Sequence, residues 1–235
     1  MGIFVHILSS RNFMLDIRTI TGAILDMDGT LIDSMGIWHE IDKRFFAEHN
    51  LVPPEGISNQ VNKMTMQEWA NYFTTEFHIG MTGEQVIHRI GEMCFEYYAE
   101  IIPLKPYVTE FLDFLDSYHI PYGIATATYR KSAEAALKRL GILNRMQFVL
   151  TAEEVPSSKK TPEMFLQSAE RLNSAPEQTL VVEDSLHCIE TAVKGGFPVI
   201  AVHDASVPPH EQSKIQELAD LYGQNLHEII EKLRS

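Results

Sequence analysis

Asp26 and Asp28 stand two residues apart at the end of a short apolar run, Ile20–Asp26, and are followed by Gly29 and Thr30. Side chains alternate along a strand, so both carboxylates point to one side at its tip, and Gly29 lets the backbone turn sharply away. Three further segments carry groups that could do chemistry with them: Thr126-Ala127-Thr128, Lys159-Lys160 and Glu183-Asp184-Ser185. Thr126 and Ala127 precede a helix expected from about Arg130, and hydroxyls and free amides at a helix start form a seat for an anion. Asp26, Asp28 and Asp184 would together concentrate negative charge that calls for a cation. Hard carboxylate oxygens in an incomplete cage suit Mg2+, with waters and a phosphate oxygen completing the octahedron. A lysine facing the metal would hold the remaining phosphate oxygens. In such a site one carboxylate can serve as nucleophile and another can carry a proton.

For those segments to meet, each must follow a strand of one sheet, because open α/β sheets bind ligands outside the carboxyl ends of their strands. The hydrophobic periods supply that arrangement. Ile20–Asp26 is too short for a helix and reads as a buried strand. From Pro106 onward the two periods alternate: Val108–Ser117 as helix, Tyr122–Thr126 as strand, Lys131–Leu140 as helix closed by Gly141, and Phe148–Thr151 as strand. Pro162–Leu172 follows as a helix with Thr161 as its cap and Pro162 at its first position, then Thr179–Val182 as strand, Leu186–Lys194 as helix and Pro198–Val202 as the last strand. Leu226–Leu233 reads as an amphipathic closing helix. Between Ser34 and about Pro103 the apolar residues keep helical spacing throughout, as in Trp69, Phe73 and Phe77 or Ile87, Ile90, Cys94, Tyr97 and Ile101. The expected fold is α/β, a Rossmann-like parallel sheet core with an inserted all-helical cap. Residues 1–33 and 104–235 make the core and residues 34–103 the cap, joined by linkers near Leu31–Ser34 and Ile102–Pro106.

Composition narrows the partners. Nineteen Lys and Arg against 32 Asp and Glu leave a net charge of −13, which repels nucleic acid and anionic membranes. No segment approaches the roughly 20 apolar residues that span a bilayer. The run Gly2–Leu8 lacks the flanks of a signal peptide, and Met14 offers an internal start. Two cysteines, Cys94 and Cys188, lie in helix-like stretches as packing thiols; they exclude a disulfide framework and fit a reducing, cytoplasmic address.

Taken together, these segments resemble the haloacid dehalogenase superfamily, and within it the helical-cap branch that includes β-phosphoglucomutase-like phosphatases. AILDMDGTLIDS, residues 23–34, is similar to the family's first motif nearly letter for letter, and all four motifs fall in order between about Ile20 and Leu233. The resemblance implies that Asp26 is a nucleophile that becomes an aspartyl-phosphate. It implies that Asp28 protonates the leaving alkoxide, then activates water, and reaches the metal through its backbone carbonyl. Thr126 corresponds to the phosphate-binding hydroxyl, Asp184 to a metal ligand, and Glu183 to an assistant in the metal's water shell. Aligning on Pro162-Glu163 makes Lys159, rather than Lys160, the catalytic lysine, although the Pro-x-Pro that usually follows is missing here. An acid at Asp28 marks a leaving group that must be protonated, such as a sugar hydroxyl, so the expected activity is Mg2+-dependent hydrolysis of a small phosphorylated metabolite by a monomer.

Trp38, His39, Lys63 and Met64 fall where a cap would face the site. The phosphosugar mutases of this branch carry a histidine where this chain has Trp38 and a cap arginine where it has Met66, and both departures count against a mutase. A pyrophosphatase would share every motif. A binding module without turnover would not need a second acid at Asp28. Taken singly, a D-x-D, a pair of lysines or an acidic helix start each has a bland reading as turn, solvated pair or helix cap. Their joint placement at four strand ends carries the functional reading.

Overall fold

The computed structural model describes residues 15–54, 57, 66–155 and 157–235. The run Gly2–Leu8 and the alternative start Met14 lie outside them, as do Lys63 and Met64 and the side chains of Trp38 and Met66. Six strands form one sheet: β1 (Gly22–Leu25), β2 (Tyr122–Thr126), β3 (Val149–Thr151), β4 (Thr179–Glu183), β5 (Val199–Val202) and β6 (Leu221–Gly223). The spatial order is β3-β2-β1-β4-β5-β6, and every neighbouring pair is parallel. The chain begins at the centre, winds outward to β3, then crosses back to β4 on the far side of β1. That crossing places the strand ends of β1, β2 and β4 side by side, at the switch point where α/β sheets bind their ligands.

Helices α1 (Ile37–Glu48), α2 (Met66–Glu76) and α3 (Gly83–Glu96) are inserted after β1. A capping box starts α3, with Thr82 Oγ1 accepting from the Gln85 amide and Gln85 Oε1 from the Thr82 amide. Phe45, Phe46, Trp69 and Phe73 are buried between these helices, and Phe45 meets Phe73 edge-on with ring centroids 5.3 Å apart. A π-helical turn, Tyr97–Ile101, continues α3. The chain then enters the core helices: α4 (Val108–Ser117), α5 (Arg130–Arg139), α6 (Glu163–Arg171), α7 (Leu186–Lys194), α8 (Pro209–Leu218) and α9 (Leu226–Arg234).

Strand alternation sorts the core. Ala23 and Leu25 of β1 face the side covered by Phe111 of α4, Leu137 of α5 and Ile230 of α9. Ile24 faces the other side, with Phe165 of α6, Ile189 of α7 and Ile215 of α8. A sheet buried on both faces reads as continuous apolar runs, as β1, β2 and β4 do. The first of these cores extends without a break through Leu31, Ile32 and Ile102 into the inserted helices.

The expected α/β core with its helical insertion is the observed fold. Some boundaries are corrected. The first strand is Gly22–Leu25 rather than Ile20–Asp26, since Ile20 closes a 3-10 turn at Ile17–Thr19. Pro162, not Thr161, caps α6, and Thr161 is extended. Pro198–Val202 was expected to hold the last strand, but β6 follows it and α8 precedes β6. Both are weakly patterned: α8 buries only Ile215, and β6 is a three-residue edge strand.

Candidate active site

β1 delivers Asp26 and β4 delivers Glu183 and Asp184, because the ladder continues from the Asp26 amide to the Val182 carbonyl at 3.0 Å. All three acids are buried, and one ligand oxygen from each lies within 4.8 Å of the others. Lys159, carried on a 3-10 turn at Ser158–Lys160, enters this cluster from the loop after β3. Its ammonium pairs with Asp26 Oδ1 and, at 2.6 Å, with Glu183 Oε1. Lys160 remains exposed. The second Glu183 oxygen accepts from the amides of Asp184 and Ser185 at 3.1 and 3.3 Å, so Glu183 is fixed as the partner of the lysine and of the start of α7.

Three carboxylates against one buried ammonium leave an excess of negative charge. Burial is the largest influence on Asp26 and, with the charge of Glu183, pushes its carboxyl up to about 7 against the pull of Lys159. Asp184 is raised as well, by burial and by the charges of Asp26, Glu183 and Asp204. Asp26 Oδ2 is buried without a hydrogen-bond partner. An orphaned buried carboxylate oxygen costs free energy unless something fills its lone pairs. A hard divalent cation held by Asp26 and Asp184 answers both the charge and the orphan, so the donor set fits Mg2+. Gly29 shapes the same place: φ is +84°, and a Cβ there would run into the Asp184 carboxylate.

Asp28 sits beside this cluster in different surroundings. Its Oδ1 accepts from Tyr98 Oη at 2.6 Å and Ser34 Oγ at 2.7 Å, and its Oδ2 from Thr128 Oγ1 at 2.7 Å and Thr126 Oγ1 at 3.2 Å. Hydroxyls from both linker and insertion therefore converge on one carboxylate. Thr126, expected to seat a phosphate, donates to Asp28 and also accepts the Thr128 amide at 3.1 Å. Ala127, between them in the chain, is exposed.

Asp26, Asp28, Thr126, Lys159, Glu183 and Asp184 thus come together as the sequence suggested. His39 lies on the exposed side of α1. Tyr98 was missed. Helical periodicity put Tyr97 on the apolar stripe, and the π turn advances the phase so that Tyr98 reaches Asp28. Its phenol is pushed upward, first by burial and then by the Asp28 charge, so it stays a donor.

A buried acid cluster with a lysine, at the switch point of a parallel sheet with a helical insertion after the first strand, defines a class of hydrolases. Residues 23–202 match the haloacid dehalogenase-like hydrolase family, and the chain belongs to it. It is 28% identical over 174 residues to a phosphorylated carbohydrates phosphatase of Thermotoga maritima, covering 74% of this chain and 81% of that one. It is 27% identical over 208 residues to hexitol phosphatase A of Escherichia coli K12, covering 88% and 92%. A candidate β-phosphoglucomutase structure from Thermotoga maritima superposes with a TM-score of 0.81 at 24% identity, over 92% of this chain and 99% of that one, and bears out the fold.

Proposed function

We propose that the protein is a Mg2+-dependent phosphatase that hydrolyses a small phosphorylated metabolite, a sugar phosphate or similar monoester, through an aspartyl-phosphate on Asp26. The observation that carries this reading is Asp26 itself: one oxygen is held by Lys159, the other is buried and unpartnered, and the residue clusters with Glu183 and Asp184 within 4.8 Å. The names of the relatives, a phosphatase of phosphorylated carbohydrates and a hexitol phosphatase, support the substrate class.

Asp26, Asp184 and the Asp28 backbone carbonyl would hold the Mg2+, which supplies charge neutralisation at the phosphoryl oxygens. A carboxylate oxygen of Asp26 attacks phosphorus, and the bond to the leaving oxygen breaks. Asp28 gives that alkoxide its proton. Asp28 then takes a proton from water as the water oxygen attacks phosphorus, and the acyl-phosphate bond breaks to release inorganic phosphate and restore Asp26. Lys159, Thr126 and the Ala127 amide hold phosphoryl oxygens in the proposed complex, and Glu183 keeps Lys159 aimed at Asp26. Residues 34–103 would act as a cap over residues 1–33 and 104–235, and Trp38, His39 and Lys63 would be its substrate contacts on the sequence pattern alone. Among the described residues no helix is long and apolar enough to cross a membrane. We read the protein as a cytoplasmic monomer with small-molecule substrates and no nucleic-acid partner.

Phosphate release from a panel of small phosphomonoesters, with and without Mg2+ and beside Asp26→Asn, tests the proposal. Mg2+-dependent release that the substitution abolishes is expected. Turnover of a hexose 1-phosphate to its 6-phosphate without phosphate release would replace hydrolysis by mutase chemistry.

A further inference from the structure

Lys105 lies on the returning linker, between the π turn and α4, where no sequence motif marks it. Its side chain is 14% exposed, and its ammonium has three acceptors. It donates to the Gly29 carbonyl at 2.5 Å, to Asp204 Oδ2 at 2.7 Å and to the His203 carbonyl at 3.3 Å. Asp204 is fixed in turn, because its Oδ1 accepts from the Ser206 amide at 2.8 Å and Ser206 Oγ at 2.6 Å. The Lys105 amide donates to the Leu31 carbonyl at 2.9 Å, while the Asp33 amide donates to Pro103 at 3.0 Å, so the two linkers form a short antiparallel ribbon. One residue therefore ties the outgoing linker, the returning linker and the loop after β5 to the turn that follows Asp28.

We propose that Lys105 is a positioning residue for catalysis: it clamps the Gly29 turn, and with it Asp28, to the end of β5 while the inserted helices move. The physical case is specific. Gly29 has a positive φ and no side chain to hold it, and its amide makes a single bond, to the Ile32 carbonyl at 3.0 Å. A charge-assisted bond from a largely buried ammonium to its carbonyl is strong compared with the neutral bonds around it. Asp28 is bound through Oδ1 by hydroxyls of the linker (Ser34) and of the insertion (Tyr98) and through Oδ2 by Thr126 and Thr128 of the loop after β2, so movement of the linker and insertion would pull Oδ1 away from the partners of Oδ2 unless the backbone were anchored as well. Lys105 supplies that anchor from the core side. Its charge also compensates Asp204, whose field reaches Asp184.

The proposal rests on Asp28 carrying the proton in phosphoryl transfer, and its test separates the two. In Lys105→Met the amides of Gly29, Leu31 and Ile32 should exchange with deuterium faster, while those of β4 keep wild-type protection. With the best phosphomonoester, kcat should fall by roughly tenfold to a hundredfold, the scale of a slightly misplaced catalytic group. KM should stay within about twofold, because Lys105 does not touch substrate. Lys105→Arg, which keeps the charge and several donors, should recover most of kcat. Unchanged exchange and unchanged kcat in Lys105→Met would overturn the proposal. So would a rise in exchange spread through β4 and β5, which would assign Lys105 to general stability. Should Lys105→Met not fold, Lys105→Gln carries the same comparison. If the wild type turns over no monoester, the phosphatase reading fails, and the exchange comparison alone still decides whether Lys105 anchors the turn.

Discussion

Asp26 is buried with two other carboxylates and a single ammonium, and its affinity for protons is raised first by that burial and then by the charge of Glu183. The native carboxyl lies at about 7, against an ordinary value of 3.8 in the unfolded chain. A carboxyl raised on folding stabilises the native state fully below the unfolded value, and that contribution disappears as pH rises through the folded one. Between about pH 4 and pH 7 the metal-free protein therefore loses this stabilisation, while Mg2+ has to displace a proton to bind. The stabilisation conferred by a fixed Mg2+ concentration should grow with pH across that window, by about 1.4 kcal/mol per pH unit for each proton displaced, and level off above it. Melting curves in Mg2+ and in chelator at pH 5, 6, 7 and 8 measure it directly, since groups remote from the site cancel in the difference. A gap independent of pH would mean that Asp26 is already ionised without metal. Of the residues that build this site, Asp26 was legible in the sequence because it directly follows an apolar run of strand length, Asp28 because alternation puts it on the same side as Asp26, and Asp184 because it closes the Glu183-Asp184 pair after the run Thr179–Val182. The choice of Lys159 over Lys160 needed a family pattern, since adjacent lysines in a 3-10 turn have no periodicity to separate inside from outside. Burial of one and exposure of the other settle which of them reaches the acids.

Elements were legible to the extent that one face or both were apolar. β1, β2 and β4 are buried on both faces and declare themselves as short runs; α7 was placed to the residue by the glycines after it. The π turn was invisible, because an extra residue in a helical turn shifts phase without changing composition, and it is that shift which brings Tyr98 to Asp28. Arg139 holds the turn by donating to the carbonyls of Tyr98 and Ile102, so its ending is fixed from α5 rather than by its own sequence. The start of α3 shows the opposite case, a local signal that acts locally. Thr82→Ala removes one half of the capping box and leaves the Gln85 amide without its side-chain partner. The expected loss is about 1 kcal/mol, or roughly 2–4 °C in melting temperature for a chain of this size. Activity at 25 °C should be unchanged, because Thr82 is exposed on the insertion and contacts no residue of the acid cluster through its hydrogen bonds. A fall in kcat with an unchanged melting temperature would show that the start of α3 is coupled to the site.

At the scale of the whole molecule the charge runs against the proposed substrate. The chain carries −13, and a phosphomonoester arrives as an anion. Among the described residues, most cations near the strand ends are already engaged, Lys159 with Asp26 and Glu183, Lys105 with Asp204, Arg130 with Glu134 and Glu154, and Lys131 over the Phe95 ring at 4.3 Å, while Lys160 is exposed. Attraction is thus confined to contact range, where bound metal and Lys159 act, while the long-range field repels. Salt shortens the reach of that field from about 30 Å at 0.01 M to about 8 Å at 0.15 M, but it screens buried contacts much less. With Mg2+ held saturating, kcat/KM for a phosphomonoester should therefore rise as NaCl is increased over this range, through KM rather than kcat. Steady-state rates at five or six salt concentrations are sufficient to see the trend. The opposite slope, a kcat/KM that falls steeply with salt, would mean that the mouth of the site presents an attractive field to the approaching anion. Charge reversal at exposed cations near the strand ends, Lys160 first, would then locate it.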